Sequence, residues 1–204
     1  EIVVRNLDLV RVIETDFVEN YFDEQRFSSN NVKIGRHLIK KEFDQAASLL
    51  DDWKVKDYLL KKESDYIGAI RLLPKRLLKM YVHAYQSYLW NETVAKILSK
   101  KDVVKKVDYS LGTFFFVKER EELQVPLIGF GSKEFETDDI KALMEKEGIR
   151  YKDFVIKQIH QLTLEGEMRD VFIDVNDFKV NGNKVFFFLQ KGSYATMVIR
   201  RVVA

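Results

Sequence analysis

The chain has 204 residues, 46% of them apolar and 13% aromatic, enough to bury one large core or two small ones, and this argues against disorder. Thirty-four basic residues against 32 acidic ones leave a net charge of only +2, so the chain as a whole does not advertise a polyanion and any nucleic-acid footprint must be local. The absence of cysteine excludes disulfides, thiolate catalysis and Cys-ligated zinc, and no apolar run reaches the roughly 18 residues of a membrane span, so a soluble, cytoplasmic protein with no membrane partner is expected.

Residues 1–6 alternate like a half-buried strand rather than a signal peptide, and a chain that opens in a strand without an initiator Met suggests natural sequence ahead of Glu1. A short helix is expected over 9–18. From Gly35 to Leu50 the apolar residues Leu38, Ile39, Phe43, Ala46, Ala47 and Leu50 recur at helical spacing. Pro74 suits a helix first turn, and Leu77, Leu78, Tyr81, Tyr85, Tyr88 and Leu89 mark one face of a long helix to about Leu98, with Gln86, Ser87 and Asn91 off that stripe and able to reach RNA or a neighbouring loop. Thr113 to Val117 and Val125 to Gly129 read as strands, 138–147 as a helix stopped by Gly148, and 153–158 as another short helix. Strands are expected over 169–175, 178–180, 184–189 and 195–201, with Asn181-Gly182 as a hairpin signal. Strand first, helices in the middle and strands last is the pattern of an inserted domain, an α+β organisation with 1–20 and 168–204 as one discontinuous domain and 21–167 as the insertion.

Two segments carry unusual chemistry. Asn20, Tyr21, Phe22, Gln25, Arg26 and Phe27 gather aromatic, amide and guanidinium groups, which stack on unpaired bases and read their edges. The competing reading is an aromatic pair that closes a core beside a surface Arg. Near the other end, Gly192 and Ser193 would let backbone approach a nucleotide closely, Lys191 is placed for phosphate, and Tyr194 follows. Arg200 either matches a carboxylate as an ion-pair partner or sits on a strand edge. Basic clusters at Lys33 to Lys41, Lys75 to Lys79 and Lys100 to Lys106 are local footprints or solvated helix faces. His37, His83 and His160 lack metal-ligand spacing, and Glu165, Glu167, Asp170 and Lys157 read as solvated charge.

The runs NYFDEQRFS and LQKGSYATMVIRR, with HAYQSYLWN between them, resemble the TruD family of tRNA pseudouridine synthases, whose patterns are NYFG-x-QRFG and LPxGS(Y/F)ATxVxRE. The departures are Asp23 and Ser28 for Gly, Gln190 for Pro, and Arg201 for an acidic residue. The resemblance implies part of a pseudouridine synthase mixed β-sheet interrupted by a helical module peculiar to the family. It implies a uridine of tRNA, typically uridine-13 in the D arm, as the target. Asn20, Gln25, Arg26 and Tyr194 then face the base, Tyr194 as its stacking platform, and no metal or redox cofactor is needed. In this family the catalytic Asp lies in an upstream Gly-x-Lys-Asp motif. The pairs Lys56-Asp57, Lys101-Asp102 and Lys152-Asp153 are not preceded by Gly, so the chain looks like a C-terminal portion whose carboxylate comes from missing upstream sequence or from another chain supplying an N-terminal half. An RNA-binding or assembly module without activity of its own is the alternative.

Overall fold

A computed structural model describes residues 2–3, 12–28, 30–182 and 184–203. In chain order the elements are β1 (Ile2–Val3), β2 (Phe17–Glu19), α1 (Asn31–Lys40), α2 (Phe43–Ser48), α3 (Trp53–Lys61), α4 (Tyr66–Ile70), α5 (Lys75–Leu98), β3 (Val103–Tyr109), β4 (Gly112–Val117) and β5 (Gln124–Leu127). Then come α6 (Asp138–Glu147), β6 (Glu167–Asp170), β7 (Phe172–Asp174), β8 (Asn176–Asn181), β9 (Lys184–Phe188) and α7 (Ala195–Val202). The fold is α+β, and the chain divides into two compact units. One comprises Glu1–Asp23, Val94–Val125 and Arg169–Ala204; the other comprises Glu24–Thr93 and Pro126–Met168. The 94–125 segment, which the sequence pattern placed in the insertion, groups with the two ends of the chain.

In the first unit β2 pairs antiparallel with β7 in the register Val18↔Ile173, β3 with β4, and β9 lies between β1 and β8. Phe114 and Phe116 project from β4 into a core shared with Val18, Tyr21, Val171 and Val198. β8 and β9 form the hairpin expected at Asn181-Gly182, with Asn181 opposite Lys184 and Gly182 at φ 58°, a left-handed turn position that favours glycine.

The second unit is helical because its helices are capped where the sequence provides caps. Asp52 accepts the N–H of Lys54 at the start of α3, Asp65 that of Gly68 in α4, and Thr137 that of Ile140 in α6, which ends on Gly148 in the left-handed conformation. Lys41, also left-handed, breaks the helical run expected from Gly35 to Leu50 into α1 and α2. Tyr85, Leu89 and Trp90 of α5 are fully buried, as are Leu38 and Ile39 of α1.

Four readings from the sequence need correction. In the helix expected over 9–18, residues 9–11 lie outside the described residues, as do residue 1 and residues 4–6 of the opening strand. Val12 bridges Val203, and Phe17–Glu19 is a strand buried on both faces, which removes the alternation that separates strand from helix. The C-terminal strand is the helix α7: Thr196, Val198 and Ile199 suggested β-structure, but tertiary contacts override propensity. Adjacent strand residues point to opposite faces, whereas Arg200 and Arg201 both reach carboxylates of the 19–23 segment, as neighbours on a helix can. β3 went unread because its paired lysines resembled a helix-end cluster. The helix expected at 153–158 is two 3-10 turns, Tyr151–Phe154 and Lys157–Leu162.

Gly35 sets how closely α1 approaches α5, since a Cβ there would lie 2.1 Å from the Tyr81 carbonyl oxygen. Helix propensity alone favours Ala by about 1 kcal/mol. The clash with backbone decides the sign, and Gly35→Ala should destabilise by about 1–3 kcal/mol in urea unfolding. A variant as stable as the parent would show that the two helices separate freely.

Candidate functional site

The site in the first unit is built around a carboxylate with no access to solvent. Glu19 ends β2 at 0% exposure, and Arg201 donates from Nη1 to both of its oxygens at 2.9 Å, while the Val117 N–H donates to Oε1 at 2.8 Å. Arg201 also donates from Nε to Thr15 at 3.0 Å and from Nη2 to the Val117 carbonyl at 3.1 Å, and its guanidinium lies 4.1 Å from the Phe17 ring centroid. Burial pushes the Glu19 carboxyl up from its ordinary value, while the Arg201 charge and the Val117 N–H oppose that rise. Every group bonded to this carboxylate is a donor, the arrangement that suits its ionised form.

One residue earlier on α7, Arg200 places Nε 3.1 Å from the Asp23 carboxylate, which is also buried. Two of the four departures from the family pattern, Asp23 and Arg201, thus make structural sense. Asp23 gives Arg200 a carboxylate within the chain, and Arg201 pairs with Glu19.

The remaining expected residues divide. Asn20 is 4% exposed; its Nδ2 donates to the Asp170 carbonyl at 3.1 Å, and both its Oδ1 and its own carbonyl accept from Arg169 Nη2, at 2.7 and 3.0 Å. Tyr21 is fully buried against Phe114, with ring centroids 4.9 Å apart. Phe22 lies under the Arg169 guanidinium at 4.3 Å and meets Tyr194 edge-on at 6.1 Å. Asn20, Phe22, Tyr194 and Arg200 therefore gather in one unit although two of them come from each end of the chain. Tyr194 is half-buried immediately before α7, and Lys191 and Gly192 are exposed. Gly192 needs its glycine for φ 94° rather than for space, since nothing lies within 4 Å of a Cβ there. The hydroxyls of Ser193 and Thr196 are shielded from solvent without a hydrogen-bond partner among the described residues.

The rest of the first motif belongs to the second unit. Phe27 is buried, Gln25 is exposed, and Arg26 Nε donates to Ser87 of α5 at 3.3 Å. Gln86, Ser87 and Asn91 are buried rather than presented to a ligand. Among the described residues no group of three or more His, Asp or Glu is placed to hold a metal ion, and no helix is long and apolar enough to cross a membrane. Pattern reading missed Glu19, Arg169 and Arg201. The signal for the first and last was the charge at Arg201, which calls for a buried carboxylate; Arg169 was hidden in an ordinary strand.

Residues 52–202 match the family model for tRNA pseudouridine synthase D (TruD). A protein named "Probable tRNA pseudouridine synthase D" from Nanoarchaeum equitans is 32% identical over 91% of this chain and 60% of its own length. One named "Probable tRNA pseudouridine synthase D 1" from Methanococcus maripaludis is 28% identical over 90% of this chain and 64% of its own. The chain thus spans about 60% of the length of the curated relatives it matches. The solved structure of a Methanosarcina mazei protein described as tRNA pseudouridine synthase D superposes with a TM-score of 0.66 at 21% identity, covering 90% of this chain and 60% of the other, a likeness of fold.

Arg169 ties Asn20 and Phe22 into one surface through a planar cation that an ammonium cannot replace. Arg169→Lys should therefore cost about 2 kcal/mol, one charge-assisted hydrogen bond with some loss of stacking, in urea unfolding. A change below about 0.5 kcal/mol would mark Arg169 as an ordinary surface residue.

Proposed function

Because the chain belongs to the TruD family of tRNA pseudouridine synthases, we propose that it works in converting a uridine of tRNA, uridine-13 of the D arm by the family pattern, into pseudouridine. The observation that carries this reading is the meeting of the two family motifs in one unit, with Phe22 and Asp23 from the first beside Tyr194 and Arg200 from the second. In this reading the first unit is the pseudouridine synthase portion, the second is the family's inserted module, and the enzyme acts in the cytoplasm.

The reaction breaks the N-glycosidic bond, turns the freed uracil and rejoins it to the ribose through carbon. A flipped uridine costs a few kcal/mol of unstacking, which the pocket must return. Tyr194 supplies the stacking face; its edge contact with Phe22 limits how the ring can turn. Asn20 acts as a peg rather than a reader, because its amide is committed to Arg169 and to the Asp170 carbonyl. Gln25, exposed and outside the core, is the amide of the motif that remains open to RNA. Arg200 is held by Asp23, so the reacting carboxylate, for which these 204 residues show no Gly-x-Lys-Asp motif, comes from outside them and enters a site whose guanidinium is already oriented.

Release of tritium from 5-tritiated uridine in tRNA tests this. The 204 residues alone should show no turnover, and an enzyme completed with a family Gly-x-Lys-Asp segment should show it. In the completed enzyme Tyr194→Phe should keep most activity, whereas Tyr194→Ala should lose about 1–3 kcal/mol of stacking, roughly ten- to a hundredfold in kcat/KM. Turnover by the 204 residues alone would place the carboxylate among them, and a Phe variant as damaged as the Ala variant would make the phenol hydroxyl the working group.

A further inference from the structure

The second unit contains a polar cleft that the reading above does not use. Its volume, about 370 Å³, is within the range of small-ligand sites. One wall is a face of α5, where Lys79, His83 and Gln86 follow one another at helical spacing; the other is the 161–167 segment.

The hydrogen-bonding character of this wall is fixed by a chain of contacts. Gln86 donates from Nε2 to the Ile128 carbonyl at 3.0 Å, so its Oε1 is the atom facing His83 Nδ1 at 3.3 Å. A neutral His83 therefore carries its proton on Nδ1 and offers Nε2 as an acceptor. Burial holds His83 below its ordinary value, assisted by the charges of Arg26 and Lys79 and opposed by the Gln86 hydrogen bond and Glu167, which keeps the ring neutral at pH 7. The side chains of Lys79, Gln161, Glu165 and Glu167 make no hydrogen bond or ion pair with any described residue, so two donors and two carboxylate acceptors remain beside the imidazole.

Two carboxylates make the cleft a poor home for phosphate. The same mixture suits the edge of a base that carries an amino group next to a carbonyl: amino protons go to carboxylate or imidazole, and the carbonyl to amide or ammonium. Uracil, with one N–H between two carbonyls, and adenine, with no carbonyl, match less of it. Arg26 from the first motif is close enough to His83 to influence its titration, which links the cleft to the nucleotide-handling sequence.

We infer that this cleft binds one unpaired cytosine or guanine of the RNA substrate and reads its edge with His83, Gln161, Glu165 and Glu167. The inference rests on the tRNA reading above and adds a sequence-reading site in the unit that does not carry Tyr194. Fluorescence anisotropy at physiological salt tests it with short labelled single strands of cytidine, of uridine, of adenosine and of mixed guanosine and uridine. The intact protein should bind the cytidine strand or the guanosine-containing strand at least about tenfold tighter than uridine or adenosine strands, one good edge contact. Gln161→Leu and Glu167→Gln, both away from the buried core, should abolish that preference while leaving uridine-strand binding and thermal melting unchanged. Equal binding of all strands, a preference that survives both substitutions, or a uniform loss across all strands would overturn the inference. Pseudouridine formation is read separately: a lost preference in an enzyme that still isomerises tRNA would remove this site and leave the proposed function standing.

Discussion

The first unit depends on one buried ion pair. Glu19, Val117 and Arg201 come from three stretches of chain separated by most of the second unit's sequence, and their hydrogen bonds meet at one carboxylate with no solvent access. An ionised carboxylate in that position costs several kcal/mol of desolvation unless it is paired and fully hydrogen-bonded. The strand β2, the hairpin strand β4 and the helix α7 must therefore arrive together. Apolar packing of Met197, Val198 and Val202 turns the apolar face of α7 inward, and the Arg201 Nη1 contact to both Glu19 oxygens fixes the polar partner beside it.

The position of α7 sets the surroundings of Tyr194 and Arg200. Once Arg201 is turned toward Glu19, Arg200 projects toward Asp23, and the residue just before the helix, Tyr194, comes to the edge of Phe22. The carboxylate–guanidinium pairs are thus a scaffold for the segments that carry Phe22, Tyr194 and Arg200, the groups to which the proposed function assigns the nucleotide. Arg169 performs the same service from β6, fastening Asn20 and covering Phe22. In the proposed reaction, where a freed base must turn without leaving, a rigid support of this kind would hold the surrounding groups in place.

Much of this organisation was legible in the sequence. The Gly148 stop of α6, the long helix after Pro74 and the Asn181-Gly182 hairpin follow from local chemistry, and they stand close to where the sequence placed them. The two motifs stood out in the sequence, but which of their residues pack together and which stay exposed did not. Asn20 and Tyr21 are committed to partners that lie far away in sequence, Asp170 and Phe114, and no local pattern shows that. The C-terminal helix was misread because β-branched residues outweigh an eight-residue amphipathic pattern until the two arginines are given their partners. β2, three residues buried on both faces, has no alternation to detect.

The central claim is that Glu19 and Arg201 act as one unit. A double-mutant cycle in urea unfolding, with Glu19→Gln, Arg201→Met and the two combined, measures it directly. Each single variant strands one buried partner and should lose about 3–5 kcal/mol. The combined variant should lose far less than the sum, leaving an interaction energy of about 2 kcal/mol or more. Losses that simply add, within about 0.5 kcal/mol, would contradict the account and show that α7 is held by apolar packing alone.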